Sequence, residues 1–415
     1  MDTHWKIFSS FQTYIIMSES MNPDERLFRR CPVCLSGQNQ KLITNQMMLI
    51  DVYDMSYDIV CCKDCGFVFA SNMSTEAAYE KYYENLSKYD VIDRLEQIPF
   101  VDQKRAATAV EMCAKHLSRR STIVDLGCGV GILLNLFKKN GWKSLYGVDP
   151  APNAGKCAKA LFGLEDIISG TLSSFKGQLS AKDLNLVCLT GVLEHLTSPR
   201  REMGELVEWL EPDTLILIEV PALERFNVEP NEPNGEFSIE HLQFFSKTSL
   251  INFMHCLGTE LIVLDYLDLA PAATDSLLGL FKVCQCSKYP EQKYTNTTKD
   301  RDIITDYIAR SGVKLEKAVK RIKEIEGDCI LYGAGSHTTR LMSALDVSDL
   351  SNKISFIVDK NRNLHGKYLG GKKILNPDTL VNQPTLPIVV SSFRAQTAIA
   401  NFVEEHFENR VITLY

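Results

Sequence analysis

The chain has 415 residues, enough for about two to three domains, and its 45% hydrophobic and 23% charged content is ordinary for a globular protein. A net charge of −7 weighs against a general nucleic-acid-binding surface or one that docks on anionic lipid. No apolar run approaches the ~20 residues of a membrane span. Residues 1–24 read as a flexible extension, without the basic start, continuous apolar core or small-residue cleavage site of a secretion signal, and with Met17 or Met21 available as a start.

Next comes a cysteine-rich segment, 25–72. Cys31-Pro-Val-Cys34 and Cys62-Lys-Asp-Cys65 are two C-x-x-C knuckles, 27 residues apart, with short strand patterns between them at 42–44 and 55–60. Four thiolates so spaced converge on one Zn²⁺ and leave no open coordination position, so the expected ion holds the fold and does not catalyse. Cys61 beside Cys62 leaves the third ligand open between the two. Few lysines and arginines lie between the knuckles, which disfavours nucleic acid as the module's partner. The other eight of the 13 cysteines are scattered through apolar segments, where they act as small hydrophobes in a reducing, cytoplasmic setting.

Residues 73–98 are polar and tyrosine-rich (Tyr79, Tyr82, Tyr83, Tyr89). They read as a packing linker or as an arm lending a phenol to the next domain. A helix over 100–118 leads into alternating strands and helices, the pattern of an open parallel α/β sheet. Strands are expected at 122–126, 143–148, 166–168, 184–189 and 214–219, with 260–268 and 277–286 closing the sheet. The first strand runs into Asp125-Leu-Gly127-Cys-Gly129-Val-Gly131, where the backbone must turn sharply and a ligand must approach closely. The helix that follows aims its first N–H groups at the same point. Asp149 ends the second strand, placed to take both hydroxyls of a ribose. With Asp125 and with Thr190 at the end of the fourth strand, these residues form the candidate cofactor site. The D-x-G-x-G-x-G spacing resembles motif I of class I S-adenosylmethionine-dependent methyltransferases.

Methyl transfer to a carbon beside a carbonyl needs a base and a group that stabilises the enolate; an oxygen or nitrogen acceptor needs one base. Two acid–imidazole doublets follow strand ends: Glu194-His195, and Glu240-His241 after a polar loop, 221–236, that reads as too polar for core. Within a helix the two side chains of each doublet would point apart, so each histidine is expected to find its partner elsewhere in the fold. His241 is the candidate base or polariser, with Glu240 beside it, and His195 either walls the cofactor or faces the acceptor.

Residues 287–300 form a polar bridge, read as a domain boundary, before a helix at 301–325. The last domain, 300–415, opens again as a nucleotide-type fold: strand 329–332, Gly333-Ala-Gly335, a helix, then strand 354–358 ending at Asp359, and a strand–helix pair at 387–402. Thr338 stands where a dinucleotide fingerprint has its third glycine, so a Rossmann-like domain that holds part of a substrate is expected in place of an NAD site.

The order of parts, with Tyr82-Tyr83, Glu219-Val-Pro221 and Glu240-His241-Leu-Gln-Phe-Phe-Ser246, resembles the three-domain sugar C-methyltransferase family over residues 28–415. The resemblance implies an α/β fold made of an N-terminal zinc ribbon, a central Rossmann-like methyltransferase domain at 99–287, and a C-terminal Rossmann-like domain. It implies S-adenosylmethionine as cofactor, structural zinc, and a nucleotide-linked keto-deoxysugar lying between the last two domains. It also implies Glu240 and His241 at the acceptor, His195 facing them, and Tyr82 or Tyr83 reaching in. Ser238 stands where the family carries a tyrosine, which leaves O- or N-methylation of another small molecule or glycan precursor open beside C-methylation. A non-catalytic zinc-ribbon interaction protein is the rival from another class; an intact glycine turn with Asp149 speaks against it. The oligomeric state is open, with a monomer compatible.

Overall fold

The structure, a computed structural model, describes residues 26–51, 55–75, 78–79, 98–170, 176, 180–228, 230–284 and 294–415. The extension 1–24, Tyr82, Tyr83 and Tyr89 lie outside the described residues. Tyr79 is described, and it is buried among core side chains.

The chain begins with β1 (Asn39–Met47), β2 (Met55–Cys62) and β3 (Val68–Ser71), an antiparallel meander. Helix α1 (Phe100–Ala114) then enters a sheet built from β4 (Ile123–Leu126), β5 (Leu145–Asp149), β6 (Ile167–Ser169), β7 (Leu186–Thr190) and β8 (Leu215–Pro221), all parallel. Intervening helices are α2 (Ile132–Lys139), α3 (Ala154–Phe162) and α4 (Pro199–Trp209). Strand interiors such as Ile123-Val-Asp-Leu126 are wholly buried because helices cover both faces of a parallel sheet. The short strand β9 (Gln243–Phe244) leads into α5 (Lys247–His255). Strands β10 (Thr259–Leu267) and β11 (Ser276–Val283) then close the sheet, β11 antiparallel to β8 and β10 antiparallel to β11. Its order is β10-β11-β8-β7-β4-β5-β6, so strand succession reverses between β5 and β7 on the two sides of β4. A crevice at the carboxyl end of β4 is the ligand site of such sheets.

The long helix α6 (Thr298–Lys323) leads to a third sheet. Its elements are β12 (Cys329–Tyr332), α7 (Ser336–Val347), β13 (Ile354–Val358), β14 (Tyr368–Leu369), β15 (Lys372–Leu375), β16 (Ile388–Val390), α8 (Gln396–His406) and β17 (Val411–Thr413). The order is β14-β15-β13-β12-β16-β17. The described residues are thus mixed α/β, with parallel strands in two of their three sheets.

Three sequence expectations change in tertiary context. The loop 221–236 and its continuation are not merely polar cover: Phe226, Phe237, Ile239 and Leu242 are at most 2% exposed and share a core with β1–β3 and α6. The polar bridge before 300 is a clamp at its far end, where Thr297 N and Oγ1 donate to Cys65 O, Asn296 Nδ2 donates to Asp64 O, and Thr295 pairs with Asn252. The cysteine module does not stand apart either, because β3 pairs with β9 and Cys31, Phe67 and Phe69 pack in one cluster with Val220, Phe245 and Phe253. Apolar area too small to form a core in so short a module is buried by sharing the neighbour's core.

Candidate active site

Strand β4 ends in the glycine turn, and Gly127, Gly129 and Gly131 all take positive φ (76°, 51° and 83°). Gly131 is the N-terminal boundary residue of α2, whose first turn has no side-chain cap, so its N–H groups stay directed at the turn. The Asp149 carboxylate accepts from Gly129 N at 2.7 Å and from Ala151 N at 2.9 Å, binding the two strand ends into one cradle. Asp125 sits beneath the turn, 1% exposed, with Oδ1 meeting no donor. Burial, and then the charge of Asp149, push its carboxyl up to about 8. Thr190 ends β7 opposite Glu219 of β8. These six residues lie together at the carboxyl ends of the adjacent strands β4, β5 and β7.

Beyond Thr190 the chain turns through Gly191 into a single 3₁₀ turn, Leu193–His195. Here Glu194 and His195 do not point apart, since the turn is not an α-helix: Glu194 Oε1 lies 3.7 Å from His195 Nε2. His195 and His241 pack edge to face, ring centroids 5.0 Å apart and planes at 65°. His195 Nδ1 is 3.0 Å from Glu240 O, and His241 Nδ1 is 3.1 Å from Glu236 O. A carbonyl can only accept, so each Nδ1 carries the proton and Nε2 is the basic nitrogen of each ring. Glu240 thus meets the histidine pair through its backbone carbonyl. The two segments are also joined by Leu242 N donating to Glu194 O at 2.8 Å.

All three parts of the chain hold the histidine loop. From the cysteine module, Tyr57 Oη donates to Ser238 O (2.7 Å) and Asn45 Nδ2 to Phe237 O (2.9 Å). From α6, Tyr307 Oη accepts from Glu236 N at 3.1 Å and Ser311 Oγ from Asn234 N at 3.0 Å. From α7, Arg340 pairs with Glu232 at 2.6 Å and donates to Gly235 O. Ser238 is spent on the turn itself, its Oγ accepting from His241 N at 3.1 Å.

The thiols of Cys31, Cys34, Cys62 and Cys65 gather within 4.8 Å of one another, with Cys31–Cys65 and Cys34–Cys62 sulfur separations of 3.5 and 3.4 Å. Tetrahedral zinc at 2.3 Å from each sulfur sets sulfurs about 3.7 Å apart, close to this geometry. Cys61 is directed elsewhere, its Sγ 3.4 Å from Gly66 O, so Cys62 is the member of the cluster. In the last domain, Thr338 is fully buried, its hydroxyl 2.7 Å from Gly333 O and 2.8 Å from Ser391 Oγ; it fills the turn that a third glycine would leave open.

Sequence reasoning passed over Glu194, Glu219 and Arg105 as site members. Glu194 is 3% and Glu219 2% exposed, and Arg105 Nε lies 3.4 Å from Glu219 Oε1. The signal was present in the doublet after β7 and in the acid inside an otherwise apolar β8.

Residues 100–264 match the family model described as "Methyltransferase domain". No curated protein matches the chain. Among solved structures, magnesium protoporphyrin IX methyltransferase from Synechocystis with bound S-adenosylmethionine is 14% identical, covering 50% of this chain and 96% of that one at a TM-score of 0.37. The 1,6-didemethyltoxoflavin-N1-methyltransferase of Burkholderia thailandensis is 14% identical, covering 56% and 96% at a TM-score of 0.40. No described helix is long and apolar enough to cross a membrane. The stretch that matches the methyltransferase-domain model, residues 100–264, is the stretch that carries the glycine turn and the strand-end acid on a sheet of this order.

Proposed function

We propose that the enzyme methylates a nucleotide-linked deoxysugar, with His195 and His241 at the acceptor. The observation that carries this reading is the pair of imidazoles packed against each other beyond β7, each with Nδ1 held by a carbonyl. The carboxyl end of β4 suits S-adenosylmethionine: Asp149 and the uncapped first N–H groups of α2 would hold its ribose and amino-acid ends, and Asp125 Oδ1, without a donor among the described residues, offers an acceptor beneath them. The cofactor supplies an electrophilic methyl group. Thr190 would wall the adenosine side. His241 takes the acceptor proton at Nε2, and His195 packs against it to fix its ring. Glu240 supplies the carbonyl that orients His195. Tyr82 and Tyr83 complete the acceptor side on the family resemblance alone.

Ser238 favours a second reading of the acceptor. Its hydroxyl caps the turn where the family carries a phenol, and with His241 as base this suits transfer to a sugar hydroxyl or amine. The four cysteines would hold one zinc ion that stiffens β2 and, through Tyr57 and β9, the histidine loop. The Rossmann-like C-terminal domain, clamped to the same loop by Arg340, would hold the nucleotide end of the substrate.

Incubation with methyl-labelled S-adenosylmethionine and a panel of nucleotide-linked sugars tests the assignment. Label in a keto-deoxysugar, with loss of deuterium from the carbon beside the carbonyl, supports C-methylation. Full retention of that deuterium in a methylated product assigns the methyl to oxygen or nitrogen. No transfer to any sugar refutes the substrate class.

A further inference from the structure

Glu194 is a buried ionisable group that the chemistry above leaves without a role. It is 3% exposed, and among the described residues its Oε2 meets no hydrogen-bond donor. A carboxyl group kept dry and half-partnered is costly, and in a cleft that cost marks function.

Charged groups face it from several elements. A Cβ built on Gly191 would lie 3.9 Å from both Glu194 Oε1 and Glu219 Oε2, so the two carboxyls flank one point. Arg105 of α1 approaches Glu219 at 3.4 Å, and Glu240 adds negative charge from the histidine loop. His195 Nε2 stands 3.7 Å from Oε1, with His241 packed behind it. Burial, and then the charge of Glu219, push Glu194 up to about 8. Two buried carboxyls therefore face one guanidinium, and a further cation nearby favours the ionised form of Glu194. A sulfonium is such a cation, and its methyl must be directed to the acceptor end, where the two histidines meet.

We propose that Glu194 is the charge-matching group of this site, ionised while the cationic sulfonium donor is held and protonated once the neutral thioether product replaces it. The inference rests on the assignment of the crevice to S-adenosylmethionine. In the transfer step the S–CH₃ bond breaks with its electron pair left on sulfur, and the methyl bonds to the acceptor. The acceptor's proton, taken at His241 Nε2, is relayed by His195, whose Nε2 stands 3.7 Å from Glu194 Oε1, to the Glu194 carboxylate. The positive charge on sulfur and the negative charge on Glu194 vanish together, so the site is neutral before and after.

Proton counting tests this without knowledge of the acceptor. Calorimetric titration near pH 7 in two buffers of different ionisation enthalpy gives the protons released on binding. S-adenosylmethionine is expected to release more than S-adenosylhomocysteine, by a difference approaching roughly one proton per chain. Asp125, which also sits at about 8, responds to the ammonium and carboxylate common to both ligands and cancels in the difference. Glu194→Gln should abolish the difference while both ligands still bind. Equal counts in the unmodified protein overturn the proposal, whether or not the variant folds, and so does a difference that survives in Glu194→Gln. Failure of both ligands to bind refutes the cofactor assignment itself, a separate result. Metal counting supplies a further arm, because Glu194, His195 and His241 each offer a ligand atom within 4.8 Å of the others. One zinc per chain agrees with the proposal; a second ion lost in Glu194→Gln overturns it.

Discussion

Gly127→Ala probes the contact between the glycine turn and the segment that carries Glu194 and His195. Gly127 has φ of 76°, and a Cβ there would stand 2.4 Å from Val192 Cγ2. Placing an L-residue in the left-handed region costs about 1–2 kcal/mol. Overpacking against a side chain fixed in a core costs about 1–3 kcal/mol more. Val192 packs against the central cluster and cannot swing away freely. The sum, roughly 2–5 kcal/mol, corresponds to a melting-point fall on the order of 10 °C for a domain of this size. Val192→Ala relieves only the steric share. A double-mutant cycle by urea denaturation should therefore return a favourable coupling of about 1–3 kcal/mol between the two substitutions. Calorimetry should show the same order for S-adenosylmethionine binding: Gly127→Ala weakest, the double variant partly restored. Coupling within error of zero would refute the reasoning, because it would mean that the backbone relaxes and Val192 is not the wall of the turn.

Metal analysis should find one zinc per chain, retained in Cys61→Ser and lost in Cys62→Ser; the opposite pattern would exchange the roles of the two neighbours. Chelation should loosen the histidine loop as well as the cysteine module, seen as faster amide exchange at residues 236–244, because β9 and Tyr57 couple them. Stability of the ligand-free protein should fall as pH rises from about 4 to 8, since Asp125 and Glu194 keep protons up to about 8 in the folded state that the unfolded chain loses near 4. Asp125→Asn should flatten that slope, as denaturation midpoints across the range will show. Arg340→Met should cost about 3–5 kcal/mol in urea denaturation, since it strands Glu232 in a buried pair, and Glu232→Leu in the same chain should recover most of it. A loss under 1 kcal/mol would mean that water reaches the pair.

The chemistry-bearing local signals lie in the sequence itself. Glycine where φ must be positive, an acid at the end of the next strand and paired C-x-x-C knuckles are each a few residues long, and their spacing carries the geometry. Strand succession in the central sheet follows from alternating apolar runs, and the structure holds β4, β5, β7 and β8 within two residues of the expected bounds. What tertiary structure alone decided is contact between distant segments. His195 and His241 are 46 residues apart, and a 3₁₀ turn, not a helix, sets the side chain of Glu194 beside His195. The pairing of β3 with β9, the buried aromatics of a loop that reads as polar, and the choice of Cys62 over Cys61 depend on which surfaces meet. Local sequence fixes backbone propensity and the chemistry on offer; burial and charge environment, which turn Glu194 and Asp125 into proton-holding groups, exist only once the chain has packed.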